Sequence, residues 1–459
     1  MGRWKKSVFV YPYKKLSKLS YNDFFPPLGL EYIATAVKEL VEEVTIIDMR
    51  YEKEPLRQFL GGVEVVGISI NWPHQREIAL GLIEQLDEGT TVIVGGIHAT
   101  ENVEEYLEAS RRINIVVRGD GEETAQDIFS GKELSAIRGI SYRRSGRIIH
   151  NETRVLGEVR DFYPDRSLRR YRYRHKTIFG LSFGIDAVMS SRGCPYKCEF
   201  CTHKLNPLGE LRGWSARSAE SVVEEIESIK AEVIIFSDDN FSVDPERVEK
   251  ICDLLMAREI KKSLMVELRI EIARHPETLN KMWRAGFRFL AYGIESAQDK
   301  TLKRMGKGFT IEEVGEAFEV LRHFKMVHAG YFIVGYIGED EKEMRQIAGF
   351  ARGLGIDILI PSKLRAMRYS PLRKTVENTP DYHIDEKGKV FSDEYSIKQL
   401  RQIFKKVRRD FYQPGQLLKI GKKFCVSGIM TNPEFLRCFF ITFVGVMEKV
   451  FKRRLLRLE

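Results

Sequence analysis

The stretch SRGCPYKCEFC (residues 191–201) places Cys194, Cys198 and Cys201 on one short loop, with gaps of three and then two residues. Three thiolates from so short a loop can bind three irons of a cubane iron–sulfur cluster and leave its fourth iron without a protein ligand. An open iron can bind and reduce a small molecule. The spacing therefore indicates a chemically active centre rather than a structural one.

Zinc and unligated thiols are the alternatives for this loop. Structural zinc usually takes four ligands, and only His203 lies close to the three cysteines in the sequence. The other three cysteines, Cys252, Cys425 and Cys438, are scattered through 459 residues, which disfavours a disulfide framework. We expect a cluster and keep the other two interpretations open.

The length and charge of the chain limit the classes of protein to which it can belong. A chain of 459 residues predicts about two to four domains. The net charge of +9 is concentrated in runs such as RSLRRYRYRHK (166–176), for which a solvated surface is the preferred interpretation, and we expect no nucleic-acid partner. The sequence shows no signal peptide and no apolar run of about eighteen residues, so we expect a cytoplasmic protein.

Residues 1–150 are predicted to form the first domain. Short apolar runs and helical spacing alternate over residues 7–130, which is typical of parallel strands buried on both faces. We expect a five-stranded, doubly wound, flavodoxin-like sheet, followed by a hairpin over 139–150. Ligands bind such sheets beyond the carboxyl ends of the strands. The residues expected to bind a ligand there are Pro27, Leu28, Gly29, Ser69, Gly95, Gly96 and Gly119.

Residues 186–380 are predicted to form a partial (β/α)6 barrel, because strand-like and helix-like segments alternate six times. A linker (151–185) precedes the barrel, and a helical region (381–459) follows it. Polar groups recur where the barrel strands end, and barrel chemistry gathers at those ends. Each group could alternatively form a salt bridge at the barrel mouth. The polar residues at these ends include Asp238, Asp239, Glu267, Arg269, Glu295 and Ser296.

The cysteine loop resembles the CxxxCxxC signature of the radical S-adenosylmethionine (SAM) superfamily, with Phe200 as the usual aromatic before the last cysteine. The barrel phrases SDDNF, YGIES and GYFIVGYIGE are similar to those of its members. The resemblance implies a [4Fe-4S] cluster whose open iron binds SAM. By that likeness Asp238 and Asp239 lie beside the SAM amine, Arg269 beside its carboxylate, and Glu295 or Ser296 beside the adenosine.

The first domain resembles the cobalamin-binding domain that precedes many radical SAM domains. The matching phrases are PPLGLEYIA, VVGISINWP, VIVGGIHAT and VVRGDGEET, in the expected order. The DxHxxG motif that supplies a cobalt-ligating histidine is absent. The resemblance therefore implies cobalamin bound without a histidine ligand, and His98 receives no ligand role. A domain that has lost cobalamin is the alternative.

Together the resemblances imply an enzyme that methylates an unactivated carbon through a 5′-deoxyadenosyl radical, with cobalamin between the domains as methyl donor. No catalytic base is identifiable. Oxidative cyclisation or carbon–carbon bond formation on a lipid or tetrapyrrole is the second enzymatic reading. A non-catalytic cobalamin sensor is disfavoured, because a sensor needs no CxxxCxxC loop.

The expected partners are a small-molecule or lipid substrate and an electron donor such as ferredoxin or flavodoxin. The segment from Phe435 to Leu458 has an apolar core followed by KVFKRRLLR. Such a segment can lie in a membrane interface, which would associate the protein with a membrane and favour a lipid substrate. A helix that closes the barrel or forms a dimer contact is the slightly preferred alternative.

Overall fold

The structure is a computed structural model, and it divides the chain into two units. The first unit comprises residues 1–158, 162–173 and 205–212, and the second comprises the rest. The limits of the linker and of the domains stay predictions. The residues that the structure describes are 4–13, 25–154, 159, 161–176, 182–206 and 208–429.

The first unit is a seven-stranded sheet with helices. Its strands run in the order β2-β1-β3-β4-β5-β6-β7, and β1 to β5 are parallel. This order confirms the flavodoxin-like prediction. The elements are β1 (Trp4–Tyr11), α1 (Leu28–Val37), β2 (Val41–Asp48), β3 (Val65–Ser69), α2 (Arg76–Ile83), β4 (Thr91–Gly95), α3 (Ile97–Glu101), α4 (Val103–Ala109), β5 (Ile113–Val117), α5 (Glu122–Phe129), β6 (Ile140–Arg144) and β7 (Arg147–His150).

The sheet has two more strands than the sequence indicated. The predicted hairpin turns at Ser145 and Gly146, which both have a positive φ. Its first strand, β6, pairs antiparallel with β5 and so extends the parallel sheet at that edge. Apolar residues at helical spacing continue from Leu28 to Val41, but helix α1 ends at Val37, because Val41 already pairs with Trp4 in the sheet.

Both faces of this sheet are buried, which explains the continuous apolar runs. In β1, Val8 and Val10 belong to one hydrophobic cluster, whereas Phe9 and Tyr11 belong to another. Side chains alternate between the faces of a strand, so a run with no polar position is required where helices cover both sides.

The second unit is built on a sheet in the order β16-β15-β14-β13-β12-β9-β8. Six strands, β9 and β12 to β16, are parallel, and β8 adds to β9 antiparallel. The six parallel strands confirm the predicted partial barrel. Its strands are β8 (Arg174–Lys176), β9 (Ser182–Val188), β10 (Ser191–Arg192), β11 (Ser215–Ala216), β12 (Val233–Phe236), β13 (Ser263–Leu268), β14 (Phe287–Glu295), β15 (Val327–Val334), β16 (Ile358–Lys363), β17 (Tyr382–Ile384) and β18 (Val390–Ser392).

The helices of this unit follow the strands and cover the outside of the sheet. Amphipathic sequences explain them: in α13, Leu400, Ile403, Val407 and Phe411 are buried at spacings of three and four residues. The helices are α6 (Ala219–Ser228), α7 (Pro245–Ala257), α8 (Pro276–Ala285), α9 (Asp299–Met305), α10 (Ile311–Leu321), α11 (Glu341–Gly353), α12 (Pro371–Glu377), α13 (Ile397–Phe411) and α14 (Pro414–Val426).

The C-terminal region is not entirely helical. It begins with the β17–β18 hairpin, and α13 and α14 follow. The apolar and basic segment from Phe435 to Leu458 lies outside the described residues. Within the part that is described, no helix has the length and apolar character needed to span a membrane.

At the carboxyl edge of the first sheet, the backbone conformation of residue 96 and the close approach of another loop both favour glycine. The φ of Gly96, +99°, lies in a region that disfavours side chains, and a Cβ there would meet the Ile70 carbonyl oxygen at 2.5 Å. Gly29, in α1, has no atom within 4 Å of an added Cβ. Gly96 and Gly29, two of the four glycines of the predicted ligand edge, therefore differ in what they contribute to stability.

We expect Gly96→Ala to lower the free energy of unfolding by roughly 2–3 kcal/mol, because the backbone conformation and the contact with Ile70 are both unfavourable. Gly29→Ala is the matched control and should be neutral or slightly stabilising, since alanine favours a helix. Urea unfolding of both variants measures this. Equal stabilities would show that the turn at Gly96 relaxes freely.

Candidate functional site

The three cysteines lie on the loop after the short strand β10, beyond the carboxyl end of β9. Cys198 is buried, and Cys194 and Cys201 are half-buried. All three are free thiols. Burial first, and then the neighbouring thiols, raise the pKa of Cys194 and raise that of Cys201 to about 12. Because burial disfavours their charged form, the thiols of Cys194 and Cys201 need a nearby positive charge, such as a bound metal, to become thiolates.

The donor set fits a cluster better than a single ion. Among the described residues, no group of three or more His, Cys, Asp or Glu side chains is placed to hold one metal ion. This gives the zinc alternative no support in that part of the chain. A cubane spaces its thiolate ligands more widely than a single ion does. Three free cysteines on a loop at the carboxyl edge of the sheet supply its three protein ligands.

Asp238 and Asp239, after β12, hold the segment that leads into the cysteine loop. Asp238 is buried and accepts hydrogen bonds from the Ser190 amide at 2.7 Å, the Ser190 hydroxyl at 2.5 Å and the Ser191 hydroxyl at 2.6 Å. Asp239 accepts from the Gly193 amide at 2.9 Å. The contact that the resemblance implied between these carboxylates and the SAM amine stays a prediction.

His203 was considered as a fourth metal ligand in the zinc interpretation. Its Nδ1 instead lies 2.6 Å from the Asp239 carboxylate, and its backbone amide donates to the Cys201 sulfur at 3.3 Å. The histidine therefore ties Asp239 to the end of the cysteine loop.

Arg269 lies against the cysteine loop from the end of β13. One guanidinium nitrogen is 3.9 Å from the Cys198 sulfur, and the guanidinium carbon is 3.7 Å from the centre of the Tyr196 ring. It also pairs with Glu271 at 2.6 Å and donates to the Lys307 carbonyl at 2.5 Å. Arg269 thus brings a buried positive charge beside the thiols. Its predicted contact with a SAM carboxylate stays a prediction.

Glu295 and Ser296 lie at the carboxyl end of β14, and both are buried. Glu295 has a φ of +78°, and its carboxylate is 3.9 Å from the Lys307 ammonium. Burial raises the pKa of Glu295, and Lys307 opposes this shift. The Ser296 hydroxyl donates to Glu339 at 3.3 Å. A non-glycine residue at positive φ is uncommon, and such strain is concentrated at ligand sites.

The predicted ligand edge of the first unit is held by side-chain hydrogen bonds between loops. Ser69 accepts from the Asn71 side chain at 3.2 Å, and Asn71 accepts from the Ile97 amide at 3.1 Å. The Gly119 amide donates to Thr100 at 3.2 Å. These contacts fix the loops after β3, β4 and β5 relative to one another.

The remaining residues predicted to bind a ligand at this edge would offer backbone atoms rather than polar side chains. Pro27 is the residue before α1, where Leu28 begins the helix and Gly29 follows. An added Cβ at Gly95 would have only ordinary contacts with Val117, at 3.7 Å and beyond. His98 lies in the first turn of α3, and its ring contacts the Tyr106 hydroxyl at 2.7 Å. It is therefore engaged with a neighbouring side chain.

Sequence reasoning missed several residues that organise these edges. Glu199, between two cysteines, accepts hydrogen bonds from Tyr336 and Thr375. Gln75, fully buried, accepts from the Asn71 and Trp72 amides and donates to the Pro12 carbonyl at 3.0 Å. The sequence could have indicated a role for Glu199, because it is a charged residue inside the cysteine motif. Gln75 carried none, since its partners are distant in sequence or are backbone atoms.

Comparison with known proteins identifies the two units. Residues 188–351 match the model of the radical SAM superfamily, and residues 17–129 match that of the B12 binding domain. The chain belongs to the radical SAM superfamily. It is an enzyme with a B12-binding domain ahead of its radical SAM domain. Both matches fall where the sequence resemblance placed them.

Relatives of this radical SAM enzyme include an uncharacterized methyltransferase of Pyrococcus horikoshii, 29% identical over 351 residues that cover 72% of this chain and 74% of the relative. The anaerobic magnesium-protoporphyrin IX monomethyl ester cyclase of Cereibacter sphaeroides is 23% identical, over 74% of this chain and 58% of the cyclase.

Among solved structures, this chain is similar to the radical SAM methyltransferase TsrM of Kitasatospora setae with cobalamin and a [4Fe-4S] cluster bound. The TM-score is 0.67 at 15% identity, and 90% of each chain is covered. At that identity the likeness shows the fold alone.

We expect Cys194→Ala, Cys198→Ala and Cys201→Ala each to lose most of the bound iron after anaerobic reconstitution, because each removes one of three ligands. Wild type should hold about four irons per chain. The controls are Cys252→Ala, in the hydrophobic core, and Cys425→Ala, on the exposed part of α14; both should keep the wild-type iron content. Iron and sulfide analysis measures this, and equal loss in the controls would contradict the assignment.

Glu339 predicts a pH dependence of stability. Burial raises its pKa from an ordinary 4.5 to about 7, although the Tyr336 amide and Ser296 hydroxyl donate to it. The folded state therefore holds a proton that the unfolded state releases. The contribution of protonated Glu339 to the free energy of unfolding is complete below about pH 4.5. It is lost as the pH rises to about 7, and the total loss is on the order of 3 kcal/mol.

Glu339→Gln, which cannot titrate, should therefore flatten the fall in stability between about pH 4.5 and 7. Because Asp357 also has a raised pKa, of about 6, the informative quantity is the difference between wild type and variant. Urea unfolding across this range measures it. Parallel pH profiles for the two proteins would show that Glu339 is ionised in the folded state.

Proposed function

We propose that this enzyme transfers a methyl group to an unactivated carbon of a small molecule, using a [4Fe-4S] cluster, SAM and cobalamin. The observation that carries the proposal is the set of three free cysteines at the carboxyl edge of a radical SAM barrel, in a chain that also has a B12-binding domain. The methyltransferase named among its relatives supports methylation over other outcomes.

When bound, the cluster and SAM supply one-electron chemistry that activates an unreactive carbon, and cobalamin supplies the methyl group. The chain's own residues hold and orient these groups. Cys194, Cys198 and Cys201 would ligate the cluster. The loop that carries them keeps its shape through Asp239, which binds the Gly193 amide.

The residues proposed to bind SAM are already charged or polar and face the cysteine loop or the neighbouring strand ends. Arg269 offers a cation next to the Cys198 sulfur, suited to a carboxylate. Glu295 and Ser296, buried at the end of β14, offer acceptors suited to the hydroxyls of a ribose. Asp238 accepts hydrogen bonds from Ser190 and Ser191 and so fixes the residues that lead into the cysteine loop.

The loops proposed to bind cobalamin are those after β3, β4 and β5, together with the start of α1. Glycines there bring backbone close to a ligand, and the required turn at Gly96 fixes their shape. His98 contacts Tyr106, which supports cobalamin bound without a histidine ligand. A low-potential electron donor such as ferredoxin or flavodoxin would reduce the cluster.

Oxidative cyclisation is the second candidate, favoured by the cyclase among the relatives. Both reactions use the same cluster and SAM, so the residues of the cysteine loop do not separate them. They differ in the fate of the methyl group of SAM. A methyltransferase must convert SAM into S-adenosylhomocysteine, whereas a cyclase need not.

The reconstituted enzyme, given SAM, dithionite and hydroxocobalamin, is expected to release S-adenosylhomocysteine in a cobalamin-dependent manner. Omitting cobalamin is the control and should abolish that product, because the first methyl acceptor is then missing. Liquid chromatography with mass detection measures S-adenosylhomocysteine and 5′-deoxyadenosine. Release of 5′-deoxyadenosine alone, with or without cobalamin, would contradict methyl transfer and favour the cyclase.

A further inference from the structure

Five cations form one surface cluster at the carboxyl end of β16, which we call the basic patch. Lys363 ends β16, and the backbone of Arg365 pairs with that of Lys389 in an isolated β-bridge. Arg401 and Lys405 lie one turn apart on α13, and the ring of the intervening Phe404 is 5.2 Å from the Lys363 ammonium. The basic patch therefore gathers side chains from three parts of the chain.

Within the described residues, the basic patch has fewer carboxylate partners than cations. In the part of the chain that the structure describes, Lys389 pairs with Asp385 at 3.5 Å, and its four companions have no ion-pair partner. Two other cations of α13 are paired, Lys406 with Glu341 at 2.6 Å and Arg409 with Asp410 at 3.1 Å. Lys398 and Arg408 of the same helix, outside the basic patch, have no ion pair among the described residues. The cations of this one helix thus divide into a paired set and an unpaired set.

The cations of the basic patch also repel one another. Burial lowers the pKa of Lys363 first, and the neighbouring Arg401, Lys389, Arg365 and Lys405 lower it further. Mutual repulsion of this kind destabilises a folded chain unless an anionic partner offsets it. The basic patch therefore indicates binding of an acidic partner rather than a structural role.

The chain segments that carry the basic patch also contribute buried residues that pack against the cysteine loop. Leu364, Ala366 and Val390 alternate in sequence with its cations and are buried in one hydrophobic cluster. Phe200, between the last two cysteines, packs against that same cluster. Residues of the basic patch and residues of the cysteine loop are thus joined through one continuous apolar layer.

A second set of contacts joins this region to the cysteine loop. The Leu372 amide of α12 donates to the Glu199 carbonyl at 3.0 Å, and Thr375 of the same helix donates to the Glu199 carboxylate. Next to Arg365, Met367 is 40% exposed and gives the surface a small apolar spot. Interfaces of transient electron-transfer complexes are small, so a few apolar contacts within a charged surface suffice.

We propose that the basic patch is the docking surface for an acidic, low-potential electron-carrier protein that reduces the cluster. This rests on the proposed function, since only a redox-active cluster needs such a partner. The step transfers one electron and no atoms: an anionic flavin hydroquinone becomes a neutral semiquinone, or a reduced iron–sulfur carrier is oxidised by one electron, and the cluster is reduced by one. Reduction of the cluster requires binding close to the cysteine loop, whereas binding of a nucleic acid or an anionic membrane does not.

The test compares two full-length triple variants that change the charge equally. The first, Arg365→Glu/Arg401→Glu/Lys405→Glu, inverts the basic patch. The control, Lys230→Glu/Lys261→Glu/Lys325→Glu, changes exposed lysines that precede β12, β13 and β15, at the opposite edge of the sheet. Iron content and thermal unfolding establish that both are folded; relief of repulsion should leave the basic-patch variant at least as stable as wild type.

Binding of oxidised flavodoxin to the reconstituted enzyme is the first readout, because it does not depend on activity. The basic-patch variant should bind about tenfold or more weakly at low salt, and high salt should weaken wild type and control alike. Reduction of the cluster by flavodoxin hydroquinone, followed by stopped-flow absorbance, should slow by a similar factor in the basic-patch variant alone. Reduction by dithionite should be unchanged in all three proteins.

Equal binding and equal reduction by flavodoxin in the two variants would overturn the proposal. So would selective loss of binding to phosphatidylglycerol vesicles or to duplex DNA with unchanged flavodoxin binding, since the occupant would then be a membrane or a nucleic acid. Failure of the proposed function looks different: dithionite-reduced wild type would then cleave no SAM, whatever its affinity for flavodoxin.

Discussion

Hydrogen bonds to carboxylates hold the cysteine loop and the residues before it, and the site depends on this constraint. Asp238 binds Ser190 and Ser191 before the loop, Asp239 binds Gly193 at its start, and Glu199 fastens its second half. The three cysteines contribute free thiols, and burial disfavours the charged form of Cys194 and Cys201. The protein thus holds the loop through hydrogen bonds between its own residues, and these bonds leave the thiols available as metal ligands.

The two units use the same device at their ligand edges. In each, polar residues that follow the strands bind backbone amides of neighbouring loops, as Asn71 does for Ile97 and Asp239 does for Gly193. Parallel sheets bring all these strand ends to one edge, so a few short side chains can fix several loops at once. The main chain and glycines then remain free to approach a ligand closely.

Much of the fold follows from local sequence, and part of the site does not. The apolar strands, the hairpin turn at Ser145-Gly146 and the CxxxCxxC spacing are local patterns, and the structure confirms the elements that they predict. The joining of that hairpin to β5 and the early end of α1 depend on pairing with distant residues, which no local pattern records. The same holds for Gln75 and for the partners of Glu199. Side-chain roles toward SAM and cobalamin therefore remain predictions, although their positions at strand ends are established.

The most direct test of the central claim is Mössbauer spectroscopy of the iron-57-reconstituted enzyme, recorded with and without SAM. If three cysteines hold a cubane and leave one iron open, the spectrum must be that of a [4Fe-4S] cluster, and SAM must shift the signal of a single iron site. A spectrum without a [4Fe-4S] cluster, or a cluster whose four irons are all insensitive to SAM, would contradict the account.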